Sequence, residues 1–136
     1  MPERRIYAQL AGSTGVTGRL ASSAASIKPM ATAQAAARPC ITYQRISTVP
    51  VVGSTGHESS MQARLQLDIW SDTYVAAKQI ATAAREALRG FQSSGPPVID
   101  MTHLDSEQDF DEPVEPGQDE RIYRVSQDYL VDFVTT

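Results

Sequence analysis

The chain is poor in the residues that carry most recognisable chemistry. It has one cysteine, Cys40, so no internal disulfide can form, and we expect folding in a reducing compartment. Its two histidines, His57 and His103, have no cysteine or carboxylate at the spacing of a metal site. No apolar run reaches the roughly 18 residues of a membrane span, and no secretory signal opens the sequence. We therefore expect no membrane partner.

Acidic residues are missing from one long stretch and concentrated in another. No acid occurs between Glu3 and Glu58, whereas residues 105–120 hold eight of the 16 acids. Residues 1–92 carry ten basic and five acidic side chains, a sum of +5, and residues 93–136 carry two and eleven, a sum of −9. Such a polarity can steer association and orient partners, although it does not specify an enzyme.

The clearest predicted strand lies at residues 61–70. Leu65, Leu67 and Ile69 alternate with polar residues, as expected for a strand with one buried and one wet face. The chain then changes, without a linker, to the 3.6-residue period of a helix predicted over about residues 72–90. The apolar stripe of this helix consists of Ala77, Ile80, Ala81, Ala84, Ala87, Leu88 and Phe91.

Both ends of this helix carry boundary signals. Ser71 or Asp72 is expected to cap the first turn, because a short side-chain oxygen there accepts a free backbone N–H. Gly90 is expected to end the helix in the left-handed conformation. We therefore predict a rigid strand–helix unit.

The remaining pattern predicts a small mixed domain. Further strands are predicted at residues 39–47, 98–104 and 122–134, and a short helix at residues 3–11. Residues 49–60 and 105–121 are expected to be long connections, the second strongly acidic. The predicted fold is one α+β domain over residues 1–136. It has a four-stranded antiparallel sheet, the main helix (about 72–90) packed on one face, and a short N-terminal helix.

The N-terminal region, residues 1–37, holds the short helix and an Ala/Ser-rich segment. Residues 20–37 of that segment show no clear period. A start that contains arginine and serine but few acids is also typical of an organellar transit peptide. Pro29 and the glycines interrupt any amphipathic helix there, which weighs against that alternative.

No catalytic, cofactor or metal residue is assigned from the sequence. Cys40 begins a predicted strand with no base or helix N-terminus nearby, so it reads as a small buried hydrophobe. The acids of residues 105–120 do not match a calcium loop, because Phe110 and Pro113 occupy its middle and Gly117 comes late. That segment reads as a solvated loop, with a partner-facing acidic arm as the alternative.

Phosphate binding and nucleophilic catalysis find equally little support. Residues 12–15 and 53–56 both read Gly-Ser-Thr-Gly, but neither follows a buried strand nor includes the lysine of a phosphate-binding loop. No Gly-x-Ser-x-Gly elbow is present. The basic residues of 1–92 are dispersed rather than interleaved with aromatics, which weakens a nucleic-acid-binding interpretation.

Three segments together resemble the small tail-completion, or tail-terminator, proteins of long-tailed bacteriophages. They are residues 38–47 (RPCITYQRIS), residues 65–90, which begin LQLDIWSDTY and end ALRG, and residues 123–129 (YRVSQDY). Their order and spacing fit as well, and the resemblance covers residues 27–134. Its sharpest elements are Asp68-Ile69-Trp70-Ser71 at the end of a strand, Tyr74 at the helix start and Asp128-Tyr129 in the last strand.

The resemblance implies a structural virion protein rather than an enzyme. Such a subunit forms a ring with copies of itself, commonly a hexamer, at the head-proximal end of the tail tube. The ring would contact the major tail tube protein and the head–tail connector or stopper protein, and DNA would pass through its bore only as cargo. Synthesis and assembly would take place in the host bacterial cytoplasm. Residues 49–60 and 105–120 are the segments expected to meet these partners.

Three other functions stay open at this point. One is a head-completion or neck protein that joins the connector to the tail. Another is a small ligand-binding or catalytic α+β domain that uses Cys40 or the acidic segment. The third is nucleic-acid binding by residues 1–92, which would give a steeply salt-dependent affinity.

Overall fold

A computed structural model gives the fold of most of the chain. It describes residues 2–21, 26–29, 38–50, 60–94, 98–113 and 121–134. In chain order the elements are α1 (Pro2–Ala11), α2 (Thr14–Thr17), β1 (Ile27–Pro29), β2 (Cys40–Pro50), β3 (Ser60–Ser71), α3 (Tyr74–Leu88), β4 (Val98–Pro113) and β5 (Arg121–Val134). The α+β class and all four predicted strands are confirmed.

The sheet has five strands rather than the four expected. Their order is β1-β2-β3-β5-β4, with β1 parallel to β2 and every other pair antiparallel. The sheet is therefore mixed, and the prediction of a purely antiparallel sheet is wrong. The added strand has only three residues, in a tract without hydrophobic period. It is extended because its backbone pairs with residues 41–43 of β2, which no local pattern reveals.

The prediction of an acidic loop over residues 105–121 is wrong for residues 105–113. β4 continues to Pro113 and pairs with β5 along its length, and Arg121 already belongs to β5. An edge strand tolerates this many acids because one face and one edge meet water, and basic side chains on α3 and β3 compensate part of the charge. Residues 114–120 lie outside the described residues.

The other expected connection is also shorter than predicted. β2 extends to Pro50 and β3 begins at Ser60, so both strands of this hairpin are longer than their hydrophobic patterns suggested. Near the tip of this hairpin the residues are polar and exposed, so the sequence shows no alternation of apolar and polar residues there. The backbone pairing of β2 with β3 nevertheless continues from Arg64 to Met61. Residues 51–59 lie outside the described residues.

α3 begins and ends close to the predicted positions. Thr73 is the residue that caps it, because its side-chain oxygen accepts the Ala76 N–H at 3.2 Å. Ser71, one of the two expected caps, instead accepts the N–H of Thr73, also at 3.2 Å. Gly90 has a φ of 61°, so its predicted left-handed conformation is confirmed.

The core lies between the sheet and a layer of helices on one side. α3 packs on β3, β4 and β5, while α1 and α2 pack on α3. The predicted alternation holds, since Leu65, Leu67 and Ile69 are buried. The buried part of the helix stripe is Ala77, Ile80, Ala81, Ala84 and Leu88. No described element covers the other side of the sheet, which we call the open face.

None of the helices within the described ranges is both long and apolar enough to cross a membrane.

Candidate assembly surfaces

A polar network fastens the edge strand β4 to α3. The Lys78 ammonium donates to Glu107 at 2.8 Å and to Asp109 at 3.1 Å, and the Tyr74 hydroxyl donates to Asp109 at 2.9 Å. The hydrogen bond to Glu107 raises the pKa of Lys78. The strand predicted as a loop is therefore held to the helix by its own acids.

A buried chain of hydrogen bonds continues this network into the core. The Gln127 amide donates to the Ala81 carbonyl at 2.9 Å and to Glu107 at 2.8 Å, and its oxygen accepts the Tyr129 hydroxyl at 2.8 Å. Burial raises the pKa of Tyr129. Burial also acts to raise the pKa of Glu107, but hydrogen bonds from Gln127 and Lys78 outweigh it and leave that pKa lowered. β5, α3 and β4 thus share one connected polar cluster.

The open face carries a ladder of polar pairs between neighbouring strands. Arg64 on β3 lies 2.8 Å from Asp105 and 3.5 Å from Asp128. Gln62 donates to Asp132 at 2.9 Å. These side chains are polar and partly exposed, so this side of the sheet suits water or a hydrated protein surface.

One cation on the open face is enclosed by aromatic rings. The Arg124 guanidinium lies 4.4 Å from the ring centre of Phe110 and 5.3 Å from that of Trp70. It also lies 3.9 Å from the carboxylate of Asp68, a side chain that is 2% exposed. Neither Asp68 Oδ1 nor Arg124 Nε has a hydrogen-bond partner in the described structure. Stacking and charge, rather than hydrogen bonding, hold this pair.

Exposed large apolar side chains concentrate in two kinds of place. Tyr74 and Val75 stand at the start of α3, and the others lie on the two outer strands of the antiparallel part of the sheet. These are Ile46 and Val49 on β2, and Met101 and Phe110 on β4. Single exposed apolar residues are common on any surface, but apolar residues on both outer strands mark contact regions worth testing.

The two edges of the sheet differ in charge. β4 contains six acids and no lysine or arginine: Asp100, Asp105, Glu107, Asp109, Asp111 and Glu112. β1 and β2 together contain two basic residues, Lys28 and Arg45, and no acid. The charge split seen in the sequence therefore becomes a split between opposite ends of the sheet.

The residues considered for chemistry do not converge. Cys40 is buried, and burial raises the pKa of its thiol, which disfavours a reactive thiolate. His103 is exposed on β4, where it lines a shallow groove with Arg85 and Arg89. His57 and residues 53–56 lie outside the described residues. Within the described ranges no group of three or more metal-ligating side chains is present.

The family of the chain follows from comparison with known proteins. The profile of the family described as "Tail completion protein gp17" matches residues 4–131, and the chain belongs to that family. It is therefore a structural phage tail protein and not an enzyme. As a component of a phage-like virion, it assembles with other virion proteins. The predicted resemblance is confirmed.

A solved structure supports the fold independently. A chain of the "Virion of native gene transfer agent (GTA) particle" superimposes with a TM-score of 0.72 at 13% sequence identity. The match covers 95% of this chain and 91% of the other. At that identity the similarity establishes the fold alone. Comparison with curated proteins finds no match.

Proposed function

We propose that the chain is the tail terminator subunit, which forms a ring of identical copies at the head-proximal end of the tail tube. The ring, in our proposal a hexamer, stops growth of the tube and presents a surface to the head–tail connector or stopper protein. The family match over residues 4–131 is the observation that carries this proposal.

The chemistry of the surface is compatible with such a ring. A closed ring uses two different surfaces of each subunit, one on either side, that must complement each other. In this chain the sheet edge formed by β4 is acidic and the opposite edge, formed by β1 and β2, is basic. Charge complementarity between such surfaces can set the order of neighbouring subunits.

DNA enters this proposal only as cargo. Residues 93–136 carry eleven of the 16 acids. If part of this surface lines the bore, carboxylates repel phosphates and keep DNA from adhering during passage. We therefore expect no measurable affinity of the purified ring for duplex DNA at physiological salt.

Electron microscopy and native mass measurement test the proposal together. We expect closed rings in concentrated protein, and one ring at a single end of each tail tube when tubes made without heads are mixed with the protein. Rings on headless tails separate this role from that of a neck protein, which would be found with heads instead. A protein that stays monomeric across micromolar concentrations and never binds tubes would contradict the proposal.

A further inference from the structure

A groove lies between the end of α3 and the edge strand β4, and we call it the arginine groove. It has a volume of about 260 Å³. The Gly90 amide donates to the Thr102 carbonyl at 3.1 Å, so the chain just beyond α3 is held against β4 at this point. The lining includes Arg85 and Arg89 on the helix side, Thr102 and Leu104 of β4, and Tyr129 of β5. Both walls of the groove are therefore fixed by the fold.

The helix wall carries two cations that are not paired with β4. Lys78, Arg85 and Arg89 follow one another at intervals of seven and four residues, so they lie along one side of α3. Lys78 binds two acids of β4, but among the described residues neither arginine forms an ion pair with that strand. Arg89 contacts Glu86 at 3.9 Å, and these side chains are 80% and 62% exposed, so water screens that pair. Two guanidinium groups are therefore available to an anion.

The strand wall and the floor of the groove carry no carboxylate. Thr102 is opposite Val131 and Leu104 is opposite Tyr129 in the register. Val131 and Tyr129 are buried, so the two β4 residues also face α3. The Thr102 hydroxyl is buried and has no hydrogen-bond partner in the described structure. Such a group is uncommon in a folded protein, and a polar ligand in the groove would supply the missing partner.

This combination fits a side chain with an apolar stem and a carboxylate end. Guanidinium groups bind carboxylates through paired, charge-assisted hydrogen bonds. The methylene groups of a glutamate would cover Leu104 and the ring of Tyr129, which removes apolar surface from water. The groove is smaller than the roughly 300–1,000 Å³ of sites for drug-sized ligands, which suits a single side chain.

The surrounding charge favours a carboxylate on a protein over a phosphate on DNA. β4 carries six acids, and duplex DNA carries a negative charge about every 1.7 Å along its axis. A duplex that placed one phosphate in the groove would bring others close to these acids. One glutamate on a protein surface avoids that repulsion, and a phosphate has no apolar stem for the floor.

A second copy of the chain is a poor source of this glutamate. If neighbouring copies met edge to edge, the basic edge of one copy would face β4 of the next. The strands of that basic edge, β1 and β2, contain Lys28 and Arg45 but no acid. Glu3, which lies beside β2, is already paired with Arg45.

Resting on the proposed terminator role, we propose that the arginine groove receives a glutamate side chain from a different virion protein. Arg85 and Arg89 hold its carboxylate, and its stem lies on Leu104 and Tyr129. The groove is a point of attraction for an acid on an otherwise acidic edge, so it fixes the position at which the partner docks.

Nuclear magnetic resonance of the isotope-labelled chain tests the chemistry of the groove. The probe is N-acetylglutamate amide, and its control is N-acetylglutamine amide, which has the same shape without the charge. At pH 7 and constant ionic strength we expect saturable shifts of the Gly90 and Thr102 amide signals with the first probe only. Inorganic phosphate, titrated separately, should bind at least tenfold more weakly than the glutamate probe.

Matched variants assign the binding to the two arginines. Arg85→Gln/Arg89→Gln should weaken binding of the glutamate probe at least tenfold. Arg4→Gln/Arg19→Gln removes the same charge from exposed positions outside the groove and should leave binding unchanged. Circular dichroism and thermal unfolding confirm that both variants are folded.

Binding to assembly partners then tests the biological role of the groove. With purified tail tubes and with the purified connector or stopper protein, the groove variant should bind one of the two at least tenfold more weakly than the control variant. Failure of the groove variant to form rings, with both partner contacts intact, would place the glutamate on a second copy and overturn the assignment.

The remaining outcomes separate this proposal from the terminator role. Wild-type rings that cap tail tubes but show no saturable shift with the glutamate probe overturn the groove and leave the terminator role standing. Tighter binding of phosphate than of the probe also overturns it. Arginine-dependent probe binding and connector binding by a chain that never caps tubes support the groove and contradict the terminator role.

Discussion

Lys78 on α3 and Glu107 on the edge strand β4 form a 2.8 Å ion pair across the top of the core. Glu107 also accepts a hydrogen bond from Gln127 on β5, so three elements meet at one carboxylate. This arrangement explains how an acidic segment holds the regular conformation of a strand. It also makes the outer strand part of the rigid fold.

The buried Gln127 should be costly to replace. In Gln127→Leu the buried Tyr129 hydroxyl loses the acceptor of its hydrogen bond and Glu107 loses a donor, while the Ala81 carbonyl keeps the backbone N–H of its own helix. An unsatisfied buried polar group costs about 1–3 kcal/mol, so we expect a loss of about 2 kcal/mol or more in urea unfolding. Gln108→Leu, at an exposed position of β4, is the control and should change stability by less than about 0.5 kcal/mol. Equal effects would contradict the buried chain.

Acid should weaken the attachment of β4 to α3. Although burial acts in the other direction, the hydrogen bonds from Gln127 and Lys78 hold the pKa of Glu107 below its usual 4.5. A carboxyl with a lowered folded pKa stabilises the fold fully above its unfolded value and loses that contribution as pH falls through the folded value. We therefore expect the urea midpoint to decline below pH 4.5, and to decline less in Glu107→Gln.

The control for this pH dependence is Glu86→Gln, on the exposed side of α3. In this variant the urea midpoint should fall with pH below 4.5 as steeply as in the wild-type chain. Identical slopes for wild type and Glu107→Gln would show that this carboxyl does not carry the effect.

Replacing Arg124 should lower the free energy of unfolding more than the partial exposure of this side chain suggests. In Arg124→Met the carboxylate of Asp68 stays buried without its cation, and breaking such a pair costs about 3 kcal/mol. Arg64→Met removes a cation from exposed pairs and should cost less than about 1 kcal/mol. Trp70, the single tryptophan, adjoins the Arg124 guanidinium and its fluorescence reports the change.

A double variant checks the reason for that loss. Adding Asp68→Asn to Arg124→Met removes the uncompensated charge, so part of the stability should return. No recovery would mean that the stacking on Phe110 and Trp70, rather than the charge, carries the effect.

Replacing each of two glycines by alanine should change the stability of the protein in opposite directions. Gly90 has a φ of 61° and open space around it, so Gly90→Ala carries only the backbone penalty of about 1 kcal/mol. Gly15 lies inside α2, and an added methyl there meets its nearest neighbours at 3.8 and 3.9 Å, an ordinary contact. Gly15→Ala should stabilise the protein by about 0.5–1 kcal/mol. Thermal unfolding of both variants measures the two signs.

A charge at the centre of the sheet should abolish folding. Leu67 is fully buried beneath α3, and Leu67→Asp places an unpaired carboxylate there. We expect loss of the cooperative thermal transition, whereas Thr82→Asp, exposed on α3, should melt within a few degrees of wild type. Unchanged melting of Leu67→Asp would show that the register of β3 is wrong.

Local patterns were sufficient for the elements that carry the core. The alternation of Leu65, Leu67 and Ile69 and the helical stripe ending near Leu88 each require one buried face, and that requirement is written in consecutive residues. Gly90 could also be predicted as a helix end from the local sequence, because a left-handed backbone position favours glycine whatever surrounds it.

Other features depended on partners distant in the chain. β1 is a strand because residues 41–43 pair with it, and the acids of residues 105–113 lie on a strand because β5, Lys78 and Arg64 hold them. The capping of α3 by Thr73 rather than its neighbours also depends on where β3 stops.

The amino-acid sequence by itself determined the α+β class, the buried faces, the imbalance of charge and the family, because each is a property of residue order. Only the tertiary structure decided that the charges separate onto opposite edges of one sheet and that Glu107 of β4 meets Lys78 of α3. Strand order and register arise from pairing between segments far apart in the chain, and no window of consecutive residues contains that information.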